Sequence, residues 1–520
     1  MEQQRVQIVW FKRDLRIHDH APLAQAAQHG PVVPLYIVEP SVVRALDFSP
    51  SHWTFIRCSL YELREQLGRL GQPLIVHVGE AVPVLEALSQ QFDVADLWAH
   101  EETGNAVTYV RDRAVRRWAR TKGIRLTEIP QHGVVRRLKS RDVWARTWES
   151  RMRESVAQPP TSLHPIDDLV IGSIPEHHDI GLGSDTCEIQ QGGESQAHLL
   201  LDSFLQQRGA NYQREMSSPL TAPDSCSRLS PHLAWGTISM RHVVQTMRAR
   251  TQAIRLLTLE ERKALGGSWL RSLSAFEARL HWHCHFIQKL EDEPEIEFEN
   301  FVRSFNGLRE QEWNTDHYEA WCAGQTGFPM VDACMRSLAT TGWLNFRMRA
   351  MIVSFAAYDL WLHWRDFGHF LARQWLDYEP GIHYSQIQMQ SGTTGINTLR
   401  IYNPVKQGQE HDPDGVFVRR WVPELAGVPT SFVHAPWLMT TEMQHTAGCQ
   451  IGKNYPEPIV QHEAAVARAR ARIGEIRRRQ ETRSEADAVQ QRHGSRRKSS
   501  RSRGRRGQPS ASHNQLKLDL

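Results

Sequence analysis

Short apolar runs alternate with amphipathic stretches over the first quarter of the chain. Residues 6–11, 32–38, 73–78, 94–99 and 124–129 are apolar runs bounded by polar residues or glycine. Between them, residues 22–28, 51–70, 83–91 and 107–122 repeat apolar positions at helical spacing. Strands separated by helices of this length cannot pair as hairpins, so the pattern predicts βαβ units and a doubly wound parallel sheet. No G-x-G-x-x-G run follows the first strand, which argues against a dinucleotide fingerprint there.

From about 131 to 191 the pattern dissolves into a connection marked by Pro159, Pro160, Pro165 and Pro175. Gly192-Gly193 then opens a stretch that reads as helical almost to residue 375, with predicted helices over 198–208, 239–253, 258–266, 269–289, 330–338, 346–364 and 367–376. Period-2 alternation is lacking there, so the expected architecture is an α/β N-terminal domain (1–131), a connector (132–191) and an all-α domain (192–460). Residues 461–520 read as an Arg/Glu/Ala-rich helix followed by a basic low-complexity tail with little to bury.

Composition narrows the class. No apolar run approaches the ~18–20 residues of a membrane helix, and Met1-Glu2-Gln3-Gln4 leads straight into the first strand without a signal segment. A cytoplasmic monomer is the expectation. Seven scattered cysteines form no C-x-x-C pair and no disulfide, zinc or iron–sulfur pattern. The net charge of +4 hides an asymmetry: residues 492–520 carry +8, leaving −4 on the rest. Such a tail suits a polyanion, which counterion release would favour, or serves simply for solubility. His281 and His285 share a helix face at i,i+4, but no third ligand stands at suitable spacing, so a polar helix face is expected and no metal.

Five motifs then occur in order. They are Val9-Trp10-Phe11-Lys12-Arg13-Asp14-Leu15-Arg16 with Asp19; Ser227-Arg228-Leu229-Ser230-Pro231 with Gly236; Thr326-Gly327-Phe328-Pro329-Met330-Val331-Asp332-Ala333 with Thr341-Gly342-Trp343; Arg400-Ile401-Tyr402-Asn403-Pro404; and Phe417-Val418-Arg419-Arg420-Trp421-Val422-Pro423-Glu424-Leu425. Together they span roughly residues 6 to 437 and resemble the photolyase/cryptochrome family. The resemblance implies FAD in the helical domain and, in the N-terminal one, either an antenna pigment (a folate, a deazaflavin or a ribolumazine) or none. Ser227, Leu229 and Ser230 match the family's phosphate-contacting positions, and Tyr212 an aromatic residue nearby. Asp224 to Ser227 precede a helical pattern, so they are expected to cap a helix whose N-terminus faces the diphosphate. Arg349 and Asp377 match an ion pair beside the flavin ring, Glu379 a second flavin-contacting acid, and Asp359 a further acid near the site. Trp282 matches the aromatic residue that stacks on a flipped-out lesion, with His283 close to the flavin pocket.

The sequence departs from the family at several of these positions. Where cyclobutane-dimer photolyases carry a Glu one turn before the stacking Trp, this chain has Arg279. The residues facing the flavin and lesion read His383, Ile387 and Met389 in place of Asn, Trp and Trp. The middle tryptophan of the electron-transfer chain is matched by Trp364; the outer one falls at Gln311, and Tyr384, Trp361 or Trp375 are candidates to substitute. The resemblance implies either light-driven repair of UV-damaged DNA, with His283 or His383 as proton donors if the lesion is a (6-4) photoproduct, or a cryptochrome-like blue-light receptor. Residues 515–520 (Q-L-x-L-x-L) resemble the terminal peptides that dock bacterial repair proteins on the sliding clamp, which makes the clamp a second candidate partner.

Overall fold

The computed structural model describes residues 4–495 apart from 168 and 186. Five strands, β1 (Arg5–Phe11), β2 (Val32–Val38), β3 (Ile75–Val78), β4 (Asp93–His100) and β5 (Arg125–Ile129), form one sheet in the order β3-β2-β1-β4-β5. Every pairing is parallel. Helices cover both faces, which is why β1 and β2 read as continuous apolar runs rather than alternating ones. The strand order reverses between β1 and β4, so a crevice opens at their carboxyl ends.

The remainder is helical, with several additions to the predicted set. The expected connector contains a helix, Arg141–Arg153. Trp144, Trp148 and Met152 recur at i, i+4 and i+8, and they pack into the same core as the helices Met240–Leu256 and Trp269–Asp292. At the other end, the helices His462–Arg478 and Gln480–His493 put Ala469, Ile473, Ile476 and Val489 into the core of the helical domain. The expected boundary at 460 therefore does not separate an independent segment.

The stretch predicted as one helix over 346–364 is interrupted. An α-helix, Phe346–Ser354, widens into a π-turn, Phe355–Asp359, and stops. Trp361 follows at φ 58°. A bulky side chain in the left-handed region costs on the order of 1–3 kcal/mol. Here the indole is clamped between the guanidiniums of Arg309 at 4.5 Å and Arg472 at 4.6 Å, which offsets that cost.

Pro380–Ser391 is a helix the periodicity did not reveal, because it is buried on nearly every side and has no polar face to mark a period. It packs along Trp269–Asp292. At Gly381 an added Cβ would sit 2.5 Å from the Cα of Ile287, so the two backbones touch there. Gly381→Ala should push the helices apart and cost about 1–3 kcal/mol. A thermal unfolding midpoint equal to wild type would contradict that contact. Among the described residues no helix is long and apolar enough to cross a membrane.

Candidate functional site

The two helices Phe346–Ser354 and Pro380–Ser391, with the turn between Trp375 and Glu379, enclose an inner cleft of about 540 Å³. Arg349 Nη1 and Nη2 donate to the two oxygens of Asp377 at 2.8 and 2.9 Å, and the same guanidinium lies 4.2 Å over Trp375. Burial works against the Asp377 carboxylate, but the charge and hydrogen bonds of Arg349, with one from Ser230, hold it below its ordinary range. Glu379 has the opposite balance: burial raises it, and Arg13 at 3.3 Å only partly compensates.

Two buried acceptors in this cleft, Glu379 Oε1 and Gln386 Oε1, meet no hydrogen-bond donor among the described residues. Unmatched buried acceptors beside an apolar wall (Ile382, Ile387) and a fixed guanidinium suit a planar heterocycle carrying N–H donors. The residues therefore fit an isoalloxazine. His383 also lines the cleft; its Nε2 donates to the Gly368 carbonyl at 2.9 Å, and burial pushes it down to about 4, so the ring is neutral. Its Nε2 proton is committed inward, which leaves it unsuited to donate to a lesion.

Beside the cleft lies the segment Cys226 to Ser230. Arg208 clasps the carbonyls of Cys226 and Ser227 at 2.5 and 3.3 Å. Arg228, at φ 61°, stacks 4.0 Å over Trp343. The charges of Arg228, Arg208, Arg279 and Arg349 all bear on the Cys226 thiol, and that of Arg279 also bears on Tyr212. The predicted cap is not formed: the following helix is only Ser230–Ala234, and no side chain caps it at Leu229. Ser227 Oγ instead accepts from the Leu229 amide at 3.4 Å. Positive charge at this place thus comes from the arginines rather than from a helix terminus.

A second, outer cleft of about 910 Å³ opens next door, and Gln390 lines both. Its wall carries Trp282, stacked on Phe286 at 5.6 Å and 27°, together with Lys289 and Met389. Burial, helped by Arg141, pushes Lys289 down to about 7. Lys289 was not foreseen, although it stands seven residues from Trp282 on the same helix face. Nor was the rim formed by the end of the helix Gln480–His493: His493 Nε2 and Arg492 Nη1 bind Glu293 at 2.7 and 3.0 Å and hold that end against the cleft. Gly494 and Ser495, the last of the described residues, line this rim. Residues 515–520, the clamp-like peptide, lie outside the described residues.

Other predicted residues fall elsewhere. His283 lies not with Trp282 but in an interdomain cavity of about 410 Å³, behind Glu379, where burial lowers it to about 4. One residue along a helix turns the side chain by roughly 100°, so a role for His283 as proton donor to a lesion at Trp282 is not supported by this placement. Asp359, the last residue of the π-turn, is fully buried, bonded to His462 Nδ1 at 2.5 Å, and does not line the inner cleft; it serves the packing of His462–Arg478. Tyr384 and Trp364 are buried with ring centroids 6.4 Å apart, and Tyr384 Oη lies 3.5 Å from Tyr378 Oη at the edge of the cleft. His281 and His285 pack on Trp144 at 4.8 and 5.7 Å.

The N-terminal motif joins the domains. Lys12 Nζ binds Asp112 at 2.8 Å on one side, while Arg13 donates to the carbonyls of Ala234 and Tyr378 at 2.8 and 2.6 Å on the other. Gly236 has no room for a Cβ, which would lie 2.1 Å from the Arg13 carbonyl oxygen. At the carboxyl ends of β1 and β2 a third cleft, about 830 Å³, is lined by Trp10, Lys12, Glu39, Glu102, Arg111 and Tyr378. Arg111 binds Glu39, Glu102 and Asp112 and lies 4.9 Å over Trp10. Glu39 Oε2 is buried without a donor.

Comparison with known proteins agrees with this layout. Residues 7–154 match the family model described as DNA photolyase, and residues 276–475 the one described as FAD binding domain of DNA photolyase. The chain is 30% identical over 492 residues to a deoxyribodipyrimidine photo-lyase of Streptomyces griseus, covering 89% of this chain and 98% of the relative. It is 28% identical over 479 residues to a cryptochrome DASH of Gloeobacter violaceus, covering 87% and 92%. A bacterial class III photolyase structure from Agrobacterium tumefaciens superposes with a TM-score of 0.79 at 27% identity, covering 92% of this chain and 99% of that one. With its parallel sheet, its helical FAD-binding domain and these relatives, the chain belongs to the photolyase/cryptochrome family.

Proposed function

We propose that this protein repairs UV-induced pyrimidine dimers in DNA by light-driven electron donation. The observation that carries the reading is the shared wall at Gln390, which sets a cleft suited to a flavin directly against one suited to an extruded base. Reduced FAD, when bound, supplies the light-excited electron. Arg349, paired to Asp377, places fixed positive charge beside the inner cleft and favours an anionic occupant. Trp282 and Phe286 offer an apolar aromatic platform onto which a flipped base can stack. Arg208, Arg228 and Arg279 hold the diphosphate region positive. Because that chemistry would be redox-neutral overall, the chain's own residues would need to supply neither a nucleophile nor a metal.

The cleft at the ends of β1 and β2 is the proposed place for an antenna pigment, held in part by the unmatched Glu39 oxygen. Tyr378, Tyr384 and Trp364 are the proposed route for reducing the flavin from outside. Trp364→Phe should slow photoreduction of bound FAD without lowering FAD content; an unchanged rate would remove Trp364 from the route.

One observation favours a second reading. The end of the helix Gln480–His493 forms part of the outer rim, so a change of charge in the clefts could reach the C-terminal segment, as a blue-light receptor requires. The deciding experiment illuminates the reduced protein with blue light in the presence of oligonucleotides bearing a cyclobutane dimer or a (6-4) photoproduct, with dark controls. Light-dependent return of intact thymines supports repair and names the lesion. No repair by protein that holds photoreducible FAD sinks the repair reading in favour of the receptor.

A further inference from the structure

We propose that His18, Glu194 and His198, with His242 beside them, bind a divalent transition-metal ion of the zinc type that clips the N-terminal domain to the helical one. His18 lies in the loop after β1. Glu194 and His198 share one face of the helix Glu194–Gln206, and His242 lies in the first turn of Met240–Leu256. His18 Nδ1 is 3.0 Å from Glu194 Oε1, and His198 Nε2 is 3.8 Å from the same oxygen. All three ligand atoms lie within 4.8 Å of one another. Ligands on a tetrahedral ion at ~2.0–2.2 Å stand about 3.3–3.5 Å apart, so closing the set takes small side-chain shifts. The His242 ring stands edge-on to His198 at 4.9 Å, beside the group; water would complete the coordination of three protein ligands.

The surroundings suit a ligand set better than a chance grouping. The Glu194 side chain is only 2% exposed, while His18 is 52% exposed and leaves a path for an ion. The amides of Ile17 and His18 donate to the two Glu194 oxygens at 2.9 and 3.1 Å, which fixes the carboxylate toward the imidazoles. Imidazole nitrogens with one carboxylate oxygen form a borderline donor set that favours zinc over magnesium or calcium.

Two other histidine groups lack these features. His281 and His285 have the helical spacing but pack on Trp144. In the buried Asp14–His20–His100 group, His20 Nδ1 accepts from the Leu23 amide at 3.1 Å, so its Nε2 carries the proton and faces Asp14 with no lone pair for a metal.

The test titrates chelator-treated full-length protein with Zn²⁺ against a chromophoric chelator. The expected result is one ion per chain, bound at least tenfold more weakly by His18→Ala and by His198→Ala, and unchanged in His281→Ala. Zn²⁺ should also raise the thermal midpoint of the wild type but not of those two variants, whose circular dichroism confirms that they fold. Less than one equivalent bound by the wild type, equal affinity in His18→Ala and His198→Ala, or loss only in His281→Ala overturns the proposal.

Discussion

Arg349→Met should yield protein that is purified without FAD and is less stable by about 3 kcal/mol. The two side chains are 23% and 6% exposed, so the pair is largely but not wholly desolvated, and the lower end of the range for breaking a buried pair applies. Removing the cation leaves the Asp377 carboxylate inside an apolar wall with only Ser230 and the weaker field of Arg228 to offset its burial. The pH dependence gives the sign. In the wild type Asp377 titrates below the ordinary aspartate value of 3.8, so its contribution is fully present above that value and is lost as pH falls through the lower folded one. In Arg349→Met burial dominates, the folded value rises above 3.8, and the variant loses stability as pH rises through that window instead. The double variant Arg349→Met/Asp377→Leu should recover most of the stability while still failing to retain FAD. That combination separates a binding role from a structural one. Normal FAD content in Arg349→Met would end the assignment of this pair to the cofactor.

That pair shows both the reach and the limit of the sequence. Arg349 and Asp377 are 28 residues apart on different elements, so no periodicity joins them; only the family motifs did. The strands were legible because parallel strands buried on both faces leave unbroken apolar runs. Helices were legible where one face is wet. Pro380–Ser391 was not, since burial on nearly all sides erases the period, and that helix carries His383, Ile387 and Met389. The helix Arg141–Arg153 left a readable trace in Trp144, Trp148 and Met152, obscured by the proline-rich stretch around it. The π-turn at Phe355–Asp359 leaves none, because α and π geometries accept the same apolar residues. The direction of single side chains was the hardest to foresee: Trp282 and His283 are neighbours in sequence and face different cavities.

Trp282→Ala should weaken binding of dimer-containing DNA while leaving both FAD content and affinity for undamaged duplex near wild type. The split follows from where the indole sits. It lines the outer cleft and not the inner one, so the flavin-binding residues keep their contacts. Undamaged duplex has no extruded base to stack, and its affinity rests on phosphate contacts that this change does not touch. A base stacked on an aromatic ring is worth about 1–3 kcal/mol, so discrimination between damaged and undamaged DNA should fall by roughly 5- to 150-fold, at about 1.4 kcal/mol per factor of ten. Trp282→Phe keeps an aromatic face against Phe286 and should retain much of the discrimination. Filter-binding or anisotropy titrations at fixed salt, on matched duplexes with and without a lesion, read the ratio directly. An equal loss on both duplexes would make Trp282 a general contact rather than a lesion platform. Loss of FAD along with binding would mean that the wall at Gln390 does not separate two sites, and the repair geometry proposed for these clefts would have to be abandoned.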